Sequence, residues 1–312
     1  MIATSLRLLF FLAGGITAFR AYADDPTPAD ELARMYGAVR QLDYQGTFVY
    51  TRGAQVDALR IFHAGGPVDR ERLVGLNGAP AEVVREGSTV TCLQGATPTM
   101  LFRNAAAHLL PLLPTPRGLA SGDLYELSPG GTDRVAGYRA TRIDVVPRDG
   151  YRYGYRLWLE DASGLPLRSA VVDASHRTLE EYMFVTLDIG AKPRDADLAA
   201  GAATTGAAPI EEAAAGAARW RVADPPPGFV LGGAHTSADG VEHQLYSDGV
   251  ASVSIYIEPH VAGERAEQRL RRGMLGIYSH TSGGTRFTAI GDVPRVTLER
   301  MVRSLQRLDP AR

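Results

Sequence analysis

Tyr151, Tyr153 and Tyr155 alternate with Arg152, Gly154 and Arg156, and the alternation runs on through Leu157, Trp158, Leu159 and Glu160. Side chains along a strand point to opposite faces in turn. This spacing therefore predicts an amphipathic strand over 151–160, with one aromatic face and one charged face. Such a stripe can be core, sheet surface or a platform for an apolar ligand. A second set is Leu109, Leu110, Leu112 and Leu113, in the run Ala105-Ala106-Ala107-His108-Leu109-Leu110-Pro111-Leu112-Leu113-Pro114. This run is apolar and Pro-interrupted where a connection between strands is expected, and long connections of unusual character tend to be functional. It reads either as a cap on the sheet's core or as a lid over an apolar cavity, and a cap over an open sheet also closes a pocket. Together the four leucines and three tyrosines form a candidate acyl-chain site, where burial would contribute about 0.8 kcal/mol per methylene. A third set is Tyr246, Ser247 and Asp248, at a Ser-Asp-Gly hairpin turn. It could offer a strand edge to an extended peptide, with plain turn chemistry as the competing reading.

None of these sets contains a catalytic constellation. The chain has no G-x-S-x-G, H-E-x-x-H, cysteine pair, P-loop or dinucleotide fingerprint. Its seven histidines are scattered, and no two share a helix face at metal-ligand spacing. Cys92 is the sole cysteine and sits in the strand-like run Ser88-Thr89-Val90-Thr91-Cys92-Leu93, where a buried inert thiol is expected. The reading is a binding protein, not an enzyme, with no cofactor and no metal. Basic residues number 33 against 35 acidic, and Lys192 is the only lysine. No basic tail or stripe is present to neutralise phosphates, which argues against a nucleic-acid partner.

The elements that would position these residues fall into two units. Arg7, an apolar run over 8–18 and Ala21-Tyr22-Ala23 predict an export signal cleaved after residue 23, which places the mature chain in the periplasm. Residues 24–198 open with a helix carrying Leu32, Met35, Tyr36, Val39 and Leu42. Period-two runs follow at 46–50, 58–62, 72–76, 82–85, 90–93, 99–102, 140–146, 151–160, 167–172 and 181–187. Many sequential strands at short spacing predict an antiparallel meander, open or closed. Residues 199–218 are Ala/Gly-rich and predict a flexible linker, with a marginal helix over 209–217 as the alternative. Residues 219–312 form a smaller unit: a hairpin over 244–258, a strand at 285–290, and a helix through Leu298, Met301, Val302, Leu305 and Leu308. An α+β protein of two domains is expected.

Several motifs in this chain resemble the RseB/MucB family, periplasmic negative regulators of the sigma-E envelope stress response. In the first unit they are Tyr44-Gln45-Gly46-Thr47-Phe48-Val49-Tyr50, Asp133-Arg134-Val135-Ala136-Gly137, Tyr151 to Leu159, and Gly164-Leu165-Pro166-Leu167-Arg168. In the second they are Pro227-Gly228-Phe229, His243, Tyr246-Ser247-Asp248-Gly249, Ala251-Ser252-Val253-Ser254-Ile255 and Gly291-Asp292-Val293-Pro294. Residues 259–285, with Arg269-Leu270-Arg271-Arg272, carry no assigned pattern. The resemblance implies a first domain similar to the lipoprotein carriers, a half-open antiparallel β-barrel with helices across its mouth, and a smaller carboxy-terminal α+β domain. It also implies a partner, the periplasmic domain of an inner-membrane anti-sigma factor. The regulator would shield this partner from site-one proteolysis until lipid, lipoprotein or misfolded outer-membrane protein displaces it. A periplasmic lipid or lipoprotein carrier is the alternative, and homo-oligomer formation stays open.

Overall fold

The computed structural model describes residues 26–94, 97–102, 109–114, 119, 122–200, 209–210, 218–261 and 267–308. The expected export signal, residues 105–108 and most of the expected linker lie outside the described residues. Helix α1 (Pro28–Gln41) starts at a capping box: Thr27 caps the Asp30 N–H and Asp30 reaches back to the Thr27 N–H, with Pro28 in the first turn. Its buried face is Leu32, Met35, Ala38 and Val39.

Eleven antiparallel strands follow: β1 (Tyr44–Arg52), β2 (Gln55–Ala64), β3 (Arg70–Gly75), β4 (Ala81–Glu86), β5 (Thr89–Gln94), β6 (Thr97–Phe102), β7 (Tyr125–Val135), β8 (Tyr138–Pro147), β9 (Gly154–Glu160), β10 (Pro166–Val172) and β11 (Thr178–Ile189). The first strand pairs with the last, so one open sheet runs β6-β5-β4-β3-β2-β1-β11-β10-β9-β8-β7. A two-residue strand, β12 (Pro209–Ile210), adds in parallel to β6, so part of the expected linker is anchored to the sheet. Helix α1 and the segment 109–114 pack into one core with the sheet, around Tyr44, Phe48, Ile61, Leu110, Tyr155, Leu157 and Tyr182. On the opposite face, the short helix α2 (Asp195–Leu198) buries Leu198 against Phe62 and Ala64.

Strand β7 was not expected from the sequence, because Ser128-Pro129-Gly130-Gly131-Thr132 reads as a loop. Among the described residues it pairs only with β8, and it slips register between Pro129 and Thr132. An edge strand tolerates a proline and two glycines at such a bulge.

The second domain is a six-stranded antiparallel sheet made of β14 (Val230–Thr236), β15 (Glu242–Ser247), β16 (Ser252–Glu258), β19 (Thr285–Gly291), β18 (Leu275–Ser282) and β17 (Gln268–Arg272), in that spatial order. Helix α3 (Arg295–Arg303) packs on it through Leu298, Met301 and Val302. The helix is shorter than the periodicity predicts. Ser304 ends it, Leu305 opens β20 (Leu305–Arg307), and Leu308 lies beyond. β20 pairs with β13 (Trp220–Val222), because tertiary pairing outcompetes one more helical turn.

Candidate functional site: the capped barrel and the joint between the domains

The segment 109–114 is seated in the first domain's core. Leu110 is buried, and Leu109, Leu112 and Leu113 pack partly buried against the same core. Three elements hold its backbone. The Leu109 N–H donates to Glu71 Oε2 at 3.0 Å, Ser169 Oγ donates to the Leu112 carbonyl at 2.6 Å, and the Tyr36 hydroxyl donates to the Pro114 carbonyl at 3.1 Å. Leu112 has φ of 57°, a left-handed conformation that a non-glycine residue adopts only under constraint.

Beneath the start of this segment, a row of polar side chains crosses four strands. Tyr44 on β1 faces His63 on β2, His63 faces Glu71 on β3, and Glu71 faces Arg85 on β4. The Tyr44 and His63 rings stack 4.6 Å apart. Arg85 holds Asp69 through two nitrogens, at 2.5 and 3.1 Å, and Glu71 Oε2 through Nε at 2.5 Å. Burial keeps the Glu71 carboxyl above the ordinary range, against the pull of Arg85, and pushes the His63 imidazole below its ordinary value. Sequence reading missed this row. Strand parity could have found it, since Glu71 shares a face with Leu73 and His63 with the buried Ile61.

The three tyrosines do not form one stripe. Strand β9 starts only at Gly154, because Asp149 Oδ1 accepts the Tyr151 N–H at 2.9 Å in an Asx turn that bends the chain first. Tyr155 and Tyr153 are buried in the first domain's core. Tyr151 turns to the other domain: Thr297 Oγ1 donates to its carbonyl at 2.6 Å, and Arg300 donates to its hydroxyl.

Nor does the 246–248 turn present its side chains to solvent. Tyr246 is buried in the second core, donates to Gln244 Oε1 at 3.1 Å and accepts the Val222 N–H at 3.2 Å. Ser247 Oγ donates to the Ala251 carbonyl at 2.9 Å, within its own hairpin. Asp248 accepts the Val250 and Ala251 N–H groups through Oδ1, and through Oδ2 it meets Arg152 Nη1 of the first domain at 2.6 Å. Strands β15 and β16 are also interior strands of their sheet, so neither offers the free edge expected there.

Arg152 is the centre of the joint. Its side chain and that of Asp248 have no exposure. It also donates to both Asp149 oxygens at 3.1 Å and to the Pro227 carbonyl at 2.6 Å, and it lies over the Tyr125 and Phe229 rings. A second tie runs from the Met274 N–H to Glu180 Oε1 at 2.9 Å. Gly273, at φ 61°, makes room for that carboxylate, which a Cβ would strike. Beside the joint lies a cavity of 540 Å³, walled by the 173–177 turn of the first domain, Tyr153, strand β17 and the start of α3. Among the described residues no cluster of His, Cys, Asp and Glu is arranged to hold a metal ion, and no helix is long and apolar enough to cross a membrane.

The MucB/RseB N-terminal domain model matches residues 27–202 and the MucB/RseB C-terminal domain model matches residues 214–306. The chain belongs to the MucB/RseB family. The sigma factor AlgU regulatory protein MucB of Pseudomonas aeruginosa is 35% identical, over 97% of this chain and 97% of its own. The Pseudomonas aeruginosa MucA/MucB complex superposes with a TM-score of 0.76 at 33% identity, covering 91% of this chain and 99% of that one. A crystal structure of MucB superposes with 0.60 at 32% identity, covering 90% and 98%. Taken whole, this MucB/RseB chain superposes better on MucB in the complex than on that second structure.

Proposed function

We propose that this protein is a periplasmic regulator. It binds the periplasmic part of an inner-membrane anti-sigma factor, shields it from site-one proteolysis, and releases it when lipid, lipoprotein or misfolded outer-membrane protein engages. The observation that carries this reading is membership of both domains in the MucB/RseB family, with the overall arrangement resembling MucB in its MucA complex. A carrier would need the barrel alone. The carrier reading leaves the second domain, docked through a buried ion pair, without a role.

The burial of Tyr246 and Asp248 favours a partner surface other than the 246–248 turn. Strand β17 is an edge of its sheet among the described residues, is exposed at all five positions, and carries Arg269, Arg271 and Arg272, of which Arg269 and Arg271 line the 540 Å³ cavity. An extended acidic segment fits such an edge by strand addition and charge. Titration calorimetry of the mature chain with the periplasmic fragment of its anti-sigma factor tests the reading. Saturable binding is expected, reduced at least tenfold in the Arg269→Glu, Arg271→Glu double variant. Absence of binding by the native chain would refute the function. Full affinity in the double variant would refute only the surface.

A further inference from the structure

Three polar atoms in the row beneath segment 109–114 find no hydrogen-bond partner among the described residues: the Tyr44 hydroxyl, His63 Nε2 and Glu71 Oε1. All three side chains are at 0% exposure. Buried polar networks of this kind are normally complete, so an incomplete one points to a missing group. The chemistry of that group can be read off. His63 Nδ1 lies 2.6 Å from the Leu42 carbonyl oxygen, so Nδ1 carries the proton and Nε2 is an acceptor. Glu71 Oε1 is an acceptor 3.9 Å from that nitrogen. The surrounding charges are Asp43, Asp69, Glu71 and Arg85, two negative in sum while His63 is neutral. Two acceptors in a negative niche call for a hydrogen-bond donor and disfavour an anion.

Segment 109–114 already satisfies half of this demand. It brings a backbone N–H to Glu71 Oε2 and leucine side chains to the core beside it. An amide N–H next to an alkyl group is the chemistry of an N-acyl head and its chain. The segment holds this pose with Leu112 in a left-handed conformation, pinned by Ser169.

We propose that segment 109–114 is a resident stand-in for a ligand, and that the barrel takes acyl-chain amphiphiles whose head presents an N–H donor, amide or ammonium, to Glu71 and His63. This rests on the lipid-ligand part of the proposed function and adds the head group. An incoming head completes the row, its chain replaces the leucines, and the segment leaves as the left-handed turn relaxes.

The test is titration of the full mature chain with four C12 probes below their micelle concentrations: N-methyl lauramide, N,N-dimethyl lauramide, dodecylammonium and laurate. N-methyl lauramide should bind at least tenfold tighter than the dimethyl amide, with laurate weakest. The ranking of N-methyl lauramide against dodecylammonium tells an amide source from an amine source. Ser169→Ala, which unpins the segment, should tighten both amides several-fold. Glu71→Gln provides its own N–H to the niche and should cut the N-methyl advantage below twofold, in a variant whose thermal melt shows it folded. Equal binding of the two amides by the native chain overturns the proposal, and so does unchanged affinity in Ser169→Ala. If no probe binds while the anti-sigma fragment does, this site fails and the regulator reading stands. If the probes bind as stated and the fragment does not, the reverse holds.

Discussion

Among the described residues each domain buries one glutamate at 0% exposure, and the two are surrounded differently. In the second domain, both Glu242 oxygens are occupied. Oε1 accepts the Arg219 and Trp220 N–H groups and Gln244 Nε2, and Oε2 accepts the Arg219 N–H and Nε. In the first domain, Glu71 Oε2 accepts Arg85 and the Leu109 N–H, while Oε1 accepts nothing. A carboxylate with every lone pair used is a fixed staple, which ties the entry strand of the second domain to its sheet. A carboxylate half used, beside a segment under backbone strain, is a contact that another donor can take over. Around Glu242 the second core is built of Val253, Ile255, Ile257, Phe287 and their neighbours, with Gln244 and Thr297 also fully buried. The difference assigns rigidity to one domain and adaptability to the other.

Substitutions can break or sharpen that contrast. The largest effect is expected at the joint that holds the two regions together. Arg152→Ala leaves Asp248 buried without its partner, a change that costs about 3–5 kcal/mol. Denaturant unfolding should show this loss, and small-angle scattering should show the domains separating. A change under about 1 kcal/mol with unaltered scattering would mean that the buried pair does not hold the joint. Glu242→Ala comes next. It strands the Arg219 and Trp220 N–H groups and should cost about 2–3 kcal/mol, with amide exchange rising first in β13 and β15.

Glu71→Gln should be far milder, within about 1 kcal/mol near neutral pH, since Asp69 retains Arg85. If it costs as much as Glu242→Ala, the two carboxylates are equivalent staples and the contrast collapses. The pH dependence sharpens the same point. The folded Glu71 carboxyl binds its proton more tightly than the unfolded one, so its contribution falls as pH rises above 4.5 through the higher folded value. Glu71→Gln should remove that slope. The smallest effect is expected at His63, whose folded pKa is depressed. Unfolding then takes up a proton, so stability falls as pH drops below 6.5, and His63→Gln should flatten this limb. The charged groups facing His63 are Asp43, Asp69, Glu71 and Arg85, and none of them is altered by the substitution.

Much of the fold was legible because it rests on period. Alternation located ten of the first domain's strands, and the capping residues located α1. Strand β7 was not legible, because Pro129 and two glycines are permitted only by its edge position, which is a tertiary fact. The rigid turn over 225–229 was read as leading into a strand, which is β14, but β17 and β18 were missed. β17 is arginine-rich and exposed throughout, so it does not alternate. The site was less legible still. The four leucines pack against the first core, which fits both the cap and the lid reading, but no pattern in the sequence announces that the backbone of 109–114 bonds to Glu71, Ser169 and Tyr36. Asp248 looked like a turn residue, and its Oδ1 does serve the turn. Its second oxygen belongs to the joint, set by a contact with a residue 96 positions away.

The most direct test of the regulator reading is protection. The periplasmic segment of the anti-sigma factor is incubated with active site-one protease, with and without the mature chain, and its cleavage is followed over time. Saturating protein should slow cleavage strongly, and the Arg269→Glu, Arg271→Glu variant should restore much of the unprotected rate. Cleavage at the same rate with and without saturating native protein would contradict the regulator reading.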